Sequence, residues 1–241
     1  MIKDEIDNNG EDLMNYDILL FDLDDTLFDF QRAQQYALQK VYTAFDMLDR
    51  ADDYTACYKE IGKEIWGELE RGEITLSELR VERFKRLFNK YQLPHQPEAF
   101  GDTYLKFLGE GSFLVEGAEE LCQALSTQRL AIITNGFREV QIPRISHSPL
   151  SQMFEQIIIS EETGYQKPQK EIFDYAFAKL GITRRERVLM IGDSLTSDIL
   201  GGNRYGIDTC WFNPRQRKNE TDISPTYEIS KLTDLLRIVA E

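Results

Sequence analysis

Tyr16-Asp17-Ile18-Leu19-Leu20-Phe21 runs directly into Asp22-Leu23-Asp24-Asp25-Thr26. An apolar run this short, stopped by carboxylates, predicts a buried strand that delivers polar side chains to a loop at its end. Three more runs have the same form. Leu130-Ala131-Ile132-Ile133-Thr134 stops at Asn135-Gly136, Gln156-Ile157-Ile158-Ile159 stops at Ser160-Glu161-Glu162, and Val188-Leu189-Met190-Ile191 stops at Gly192-Asp193-Ser194. A weaker fifth, Thr209-Cys210-Trp211-Phe212, closes at Asn213-Pro214. Nearly continuous apolar strands suit a sheet covered on both faces, which is the habit of parallel sheets. Helical spacing lies between the runs, over Gly117–Leu125, over Lys170–Leu180 with Gly181 as its C-terminal stop, and over Asp198–Tyr205 with Gly201-Gly202 for close packing. Strand and helix in alternation give a doubly wound α/β core.

Residues 30–110 break the rhythm. They hold amphipathic stretches around Ala33–Phe45, Tyr54–Glu70, Leu76–Tyr91 and Glu98–Phe107 but no strand-like run. The expected organisation is a flexible leader over 1–15, a core built from 16–29 and 111–241, and a helical insertion over 30–110.

At 241 residues the chain can bury roughly 70–75% of its unfolded surface without disulfides or structural metal. Cys57, Cys122 and Cys210 are odd in number and scattered, which suits a reducing compartment. No apolar run approaches a bilayer span, and Met1-Ile2-Lys3-Asp4-Glu5 lacks the basic start of a secretion signal, so a cytoplasmic protein without membrane contact is expected. The net charge of −14 disfavours nucleic acid as a partner. The dense basic stretches, Arg184-Arg185-Glu186-Arg187 and Arg215-Gln216-Arg217-Lys218, read as solvated loops or helix ends.

In open α/β sheets, ligands bind outside the carboxyl ends of the strands. Asp22, Asp24, Thr134, Asn135 and Asp193 stand at those ends, and Lys167 joins them from Gly164-Tyr165-Gln166-Lys167-Pro168. Clustered carboxylates repel one another, and a hard divalent cation with oxygen ligands, Mg²⁺, relieves that repulsion.

Asp-x-Asp-x-Thr after a strand, then Thr134, then Lys167-Pro168, then Gly192-Asp193-Ser194 with Asp198, resembles the haloacid dehalogenase superfamily, with its four motifs in order. The resemblance implies a Rossmann-like parallel sheet of order 5-4-1-2-3, numbering the runs along the chain, with an inserted α-helical cap. It also implies roles. Asp22 would be the nucleophile, Asp24 the acid and base, and Thr134 and Asn135 phosphate-binding groups. Lys167 would neutralise charge and restrain Asp22. Mg²⁺ would be held by Asp22, the Asp24 carbonyl and Asp193, with Asp198 outside them orienting a metal-bound water or Lys167. A carboxylate at Asp24 favours phosphoryl chemistry over dehalogenation, while Asp25 reads as a cap for the following turn.

Lys167-Pro168-Gln169-Lys170-Glu171-Ile172-Phe173-Asp174-Tyr175-Ala176, Gly192 through Ile199, and Cys210-Trp211-Phe212-Asn213-Pro214 are similar to the bacterial 5′-nucleotidase-like branch. The expected substrate is therefore a small phosphorylated metabolite, a nucleoside 5′-monophosphate. Phosphatases or mutases of sugar phosphates or phosphoglycolate, and a non-catalytic binding protein, are the alternatives. His95 and His147 sit in no motif, and no P-loop or dinucleotide-binding glycine motif is present. Phe28 and Phe30 leave two readings open, stacking on a substrate or packing a hinge. Tyr36, Tyr42, Phe45, Tyr58 and Trp66 read as helix core.

Overall fold

The computed structural model describes residues 16–240. The 1–15 leader lies outside the described residues. A parallel sheet of order β3-β2-β1-β4-β5-β6 carries the core. Its strands are β1 (Ile18–Phe21), β2 (Arg129–Thr134), β3 (Gln156–Ile159), β4 (Val188–Gly192), β5 (Asp208–Phe212) and β6 (Tyr227–Ile229). The first five are the five apolar runs, in the expected relative order. The sixth pairs with β5 from Cys210↔Tyr227 to Phe212↔Ile229. Three residues of Tyr-Glu-Ile carry no apolar run, so its sequence gave no strand signal.

Strand side chains alternate between faces, and β1 shows why its whole run is apolar. Leu19 and Phe21 join a cluster with Leu121, Leu125, Leu235 and Val239. These come from α5 (Ala118–Ala124) and α10 (Leu235–Ala240), and from Leu125 just beyond α5. Ile18 and Leu20 face the opposite way, against Ile172, Phe173, Ala176 and Leu180 of α8 (Lys170–Leu180). Gly181 ends α8 at φ 63°, the left-handed conformation a glycine stop supplies. Between β4 and β5, a π-helical turn over Leu195–Ile199 leads into α9 (Leu200–Tyr205).

Helices α1 (Phe30–Ala44), α2 (Ala51–Glu70), α3 (Leu76–Tyr91) and α4 (Pro97–Gly109) coincide with the four amphipathic stretches. They share a hydrophobic cluster of their own, including Leu38, Val41, Ile65, Phe84, Leu87, Phe100 and Tyr104. Phe137 and Val140 of the core also pack into it. The two chain crossings between helices and sheet run side by side. Asp29 N donates to Phe113 O at 2.9 Å, and Val115 N donates to Leu27 O at 3.0 Å. Phe28 is fully buried at this crossing and bridges to Leu114, which is the hinge-packing alternative.

Three helices went unread in the sequence: α6 (Arg138–Ser146), α7 (Ser160–Thr163) and α10. α6 follows β2 and holds Pro143 in its interior. A proline inside a segment normally speaks against a helix there. The short α7 follows β3.

Candidate active site

β2, β1 and β4 are neighbours, so the groups after them converge at one edge of the sheet. Asp22 begins where β1 ends, its N–H donating to Ile191 O of β4 at 2.8 Å. Lys167 enters from the loop after β3. Its backbone is clamped by the Asn135 side chain, whose Oδ1 accepts from Lys167 N at 2.8 Å and whose Nδ2 donates to Lys167 O at 2.9 Å. The Asn135 amide thus holds Lys167 and keeps one Nδ2 hydrogen and its main chain free.

Lys167 Nζ donates to Asp22 Oδ1 at 2.6 Å and to Asp198 Oδ1 at 2.7 Å. All three side chains are buried or nearly so. Asp198 sits on the π-helical turn, and its other oxygen accepts from Ser194 N at 3.0 Å. The backbone allows this only because residue 192 lacks a side chain: a Cβ there would lie 2.2 Å from Asp198 Oδ2. Thr26 Oγ1 approaches Asp22 Oδ2 at 3.3 Å.

Carboxylate oxygens of Asp22, Asp193 and Asp198 lie within 4.8 Å of one another. Three carboxylates face one buried lysine, and the only other cation beside them among the described residues is the half-exposed Arg217, whose Nη2 lies 3.6 Å from Asp193 Oδ2. Burial, with Asp198, Asp22 and Asp25 nearby, pushes the Asp193 carboxyl up to about 8, and Arg217 only partly opposes this. Burial likewise raises Asp22, with Lys167 pulling the other way and Asp198 and Asp24 adding to the rise. Burial tends to lower Lys167, but Asp198 and Asp22 more than offset it and hold the ammonium above its ordinary value. A hard divalent cation fits this donor set: the ligand atoms are all oxygen and the carboxylates outnumber the cations beside them.

Asp24 has partners absent from the sequence reading. Its Oδ2 accepts from Gln141 Nε2 at 2.8 Å, and its Oδ1 accepts from Arg144 Nη1. Both partners belong to α6. Gln141 Nε2 also donates to Thr134 Oγ1 at 3.1 Å, so one amide ties Asp24 to the end of β2. Arg144 is fully buried, donates Nε to Gly111 O at 3.1 Å, and lies over the Phe28 ring at 5.2 Å. The signal for these residues was their spacing, Gln141 and Arg144 being one turn apart on a helix that Pro143 concealed.

Asp25 is the turn cap expected of it. It takes φ 58°, and its carboxylate accepts from Phe30 N at 3.1 Å and Gln31 Nε2 at 2.9 Å. The basic stretch at 215–218 is not merely solvated. Arg217 Nη2 donates to Asp193 O at 3.3 Å, and with Arg215 and Gln31 it lines a cavity of ≈ 240 Å³ that also exposes Asp193. Trp66 is half-buried rather than fully in the core, and lines a second cavity with Phe30 and Tyr58. At the far side, Gln166 Nε2 donates to Leu69 O of α2 at 2.7 Å, so the loop that carries Lys167 touches the helical insertion directly. Cys57, Cys122 and Cys210 are free and buried. Among the described residues, no helix is long and apolar enough to cross a membrane.

A model of the haloacid dehalogenase-like hydrolases matches residues 16–206. The chain is 40% identical to the HAD-hydrolase YfnB of Bacillus subtilis over 228 residues, 94% of this chain and 97% of that one. It is 34% identical to the pyrimidine 5′-nucleotidase YjjG of Escherichia coli, covering 95% of this chain and 100% of that one. It is 36% identical to the pyrimidine 5′-nucleotidase PynA of Streptococcus pneumoniae, covering 92% and 94%. A crystal structure of YfnB bound to magnesium superposes with TM-score 0.88 at 41% identity, covering 93% of this chain and 99% of that one.

Proposed function

The chain belongs to the haloacid dehalogenase-like hydrolases, and on that premise we propose that it is a Mg²⁺-dependent phosphatase of nucleoside 5′-monophosphates. It would act through an aspartyl-phosphate on Asp22. The observation that carries the reading is the buried Asp22–Lys167–Asp198 chain with Asp193 beside it, at the edge where β1 and β4 end. Two relatives named as pyrimidine 5′-nucleotidases, matched over nearly their whole length, support the substrate class.

Asp22 attacks phosphorus, and the alcohol leaves with a proton delivered by Asp24. Asp24 then takes a proton from water, which attacks the same phosphorus, frees inorganic phosphate and restores the Asp22 carboxylate. Thr134 Oγ1 and the main chain after it are the donors for the phosphoryl oxygens. Lys167 keeps Asp22 aimed and faces the charge that develops on the transferring group. Asp22, Asp193 and the Asp24 carbonyl would hold Mg²⁺, which supplies positive charge against the phosphoryl oxygens when bound. Asp198 is placed outside the direct ligands, as the group that anchors Lys167 Nζ and the Ser194 N–H.

We assign residues 16–29 and 111–240 to the catalytic core and 30–110 to a cap over its ligand edge. A cap of this kind excludes water and macromolecules, which points to a small phosphorylated metabolite. The buried free thiols suit work in a reducing cytoplasm.

Phosphate release from a panel of nucleoside monophosphates, sugar phosphates and phosphoglycolate, with and without Mg²⁺ and with Asp22→Asn as blank, tests the reading. Metal-dependent turnover favouring nucleotides is the expected result. Preference for sugar phosphates would discard the nucleotide assignment, and full activity in chelator or in Asp22→Asn would discard the mechanism.

A further inference from the structure

Asp193, one of the carboxylates proposed to hold the metal, is gripped by the stretch that ends and follows β5. Its carbonyl oxygen accepts from Trp211 Nε1 at 2.9 Å and from Arg217 Nη2 at 3.3 Å. The same Nη2 lies 3.6 Å from Asp193 Oδ2, so one guanidinium nitrogen faces both the main chain and the carboxylate. Arg217 is carried to this place by a built loop. The buried Asn213 side chain accepts from Arg217 N at 2.9 Å through Oδ1 and donates Nδ2 to Arg217 O at 3.0 Å. Nδ2 also donates to Glu228 Oε1 at 2.7 Å, and Asn213 N donates to Ile229 O at 2.8 Å, which fixes the clamp to β6. Gln216 turns the chain inside the clamp at φ 48°, a conformation uncommon for a residue with a side chain.

Asn135 presents Lys167 by the same pair of bonds to backbone N and O. The acid cluster thus meets two cations, each delivered by an asparagine that grips its main chain. They differ in freedom. Lys167 is buried between Asp22 and Asp198 and stays where it is. Arg217 is half-exposed, and with Asp193 it lines the cavity of ≈ 240 Å³ described above. Its guanidinium can therefore swing into solvent while Asn213 keeps the backbone in place. A fixed cation serves the site in every state, whereas a removable one occupies Asp193 until a stronger cation takes the carboxylate.

We propose that Arg217 is the resident counter-cation of Asp193, that it competes with the divalent metal for this carboxylate, and that it thereby weakens metal binding. This rests on the Mg²⁺ reading of the site and adds the residue that sets the affinity. Two effects run in the same direction. The Arg217–Asp193 pair is given up when a metal takes the carboxylate, and a guanidinium left close by repels the incoming cation.

The test is titration calorimetry of Mg²⁺ into the metal-free protein, at about 0.1 M and about 1 M salt. It compares wild type with Arg217→Gln, Arg217→Lys and Lys218→Gln. Arg217→Gln should bind Mg²⁺ about 2- to 5-fold more tightly, the worth of a half-exposed ion pair. Arg217→Lys keeps the charge and should lie nearer to wild type than to Arg217→Gln. Lys218→Gln removes the same charge from the exposed next residue, which forms no ion pair among the described residues, and should tighten binding clearly less. The ratio between Arg217→Gln and wild type should shrink at the higher salt, where the Debye length falls to about 3 Å. A loop merely distorted by the substitution would keep that ratio. Unchanged or weaker binding in Arg217→Gln would overturn the proposal while leaving the metal reading intact. Equal tightening in Lys218→Gln, or a ratio indifferent to salt, would overturn it too. Absence of Mg²⁺ binding in wild type and Arg217→Gln alike would refute the metal reading and the proposal together; binding in Arg217→Gln alone would uphold both.

Discussion

Without metal, the protein should lose stability as pH rises through neutrality, and Mg²⁺ should give that stability back. Burial, Asp198, Asp22 and Asp25 raise the Asp193 carboxyl to about 8, whereas an unfolded aspartate titrates near 3.9. Between those values the native state holds a proton that the unfolded state has released, so unfolding becomes easier as pH rises. From pH about 5.5 to about 7.5 one such proton is worth roughly 1.4 kcal/mol per unit, or about 3 kcal/mol for Asp193. Asp22, also raised by burial, adds in the same direction. Carboxylates held low by arginine or hydrogen bonds, such as Asp17, Glu68 and Glu155, are ionised in both states across this window and contribute no slope. For a chain of this size about 3 kcal/mol corresponds to a fall in Tm of about 6–12 °C.

The assay is thermal unfolding in chelator across that window, repeated at saturating Mg²⁺ and with Asp193→Asn. The metal binds the ionised carboxylates, so its stabilisation should be large at the alkaline end and small at the acidic end. Asp193→Asn removes one of the two titrating carboxylates and should leave only the part of the slope that Asp22 contributes, while losing most of the response to Mg²⁺. A wild-type Tm in chelator that stays level or climbs from pH about 5.5 to about 7.5 would refute the reasoning, as would an unchanged slope in Asp193→Asn.

Two further outcomes follow from the Asp24 cluster. Asp24→Asn should lower kcat by about 10²- to 10⁴-fold on an alkyl phosphate, the usual worth of a positioned acid or base. The loss in forming the phospho-enzyme should be smaller for p-nitrophenyl phosphate, whose leaving group needs no proton; rapid-quench kinetics showing equal losses would remove the acid role. Arg144→Met should show the same leaving-group pattern in milder form, because it releases Asp24 without deleting it, and a uniform loss across leaving groups would reduce Arg144 to a packing residue.

What was legible in the sequence was what the chain enforces locally. The strands of the central sheet are buried on both faces, so each had to be an apolar run. Each run ends where the sheet meets solvent, so Asp22, Thr134 and Asp193 stood out at run ends. β6 escaped because an edge strand of three residues needs no apolar run. α6 escaped because Pro143 speaks against a helix more loudly than its spacing speaks for one. That omission hid Gln141 and Arg144, whose partner Asp24 is 117 and 120 residues away in sequence.

The strand-end site holds more acid than its cations balance. Asp22, Asp193 and Asp198 face Lys167, Arg217 Nη2 stands 3.6 Å from Asp193 Oδ2 on a half-exposed side chain, and Asp24 is already matched by Arg144. That excess costs stability in the free protein, since burial strengthens repulsion between like charges. The fold enforces the crowding instead of relieving it: Gly192 is kept bare so that Asp198 can approach the other carboxylates. A fold selected for stability alone would have paired them. On the proposed function the carboxylates call for a divalent cation before they can admit a phosphate, so the metal and the phosphoryl group are better explained as one ligand set than as two separate features.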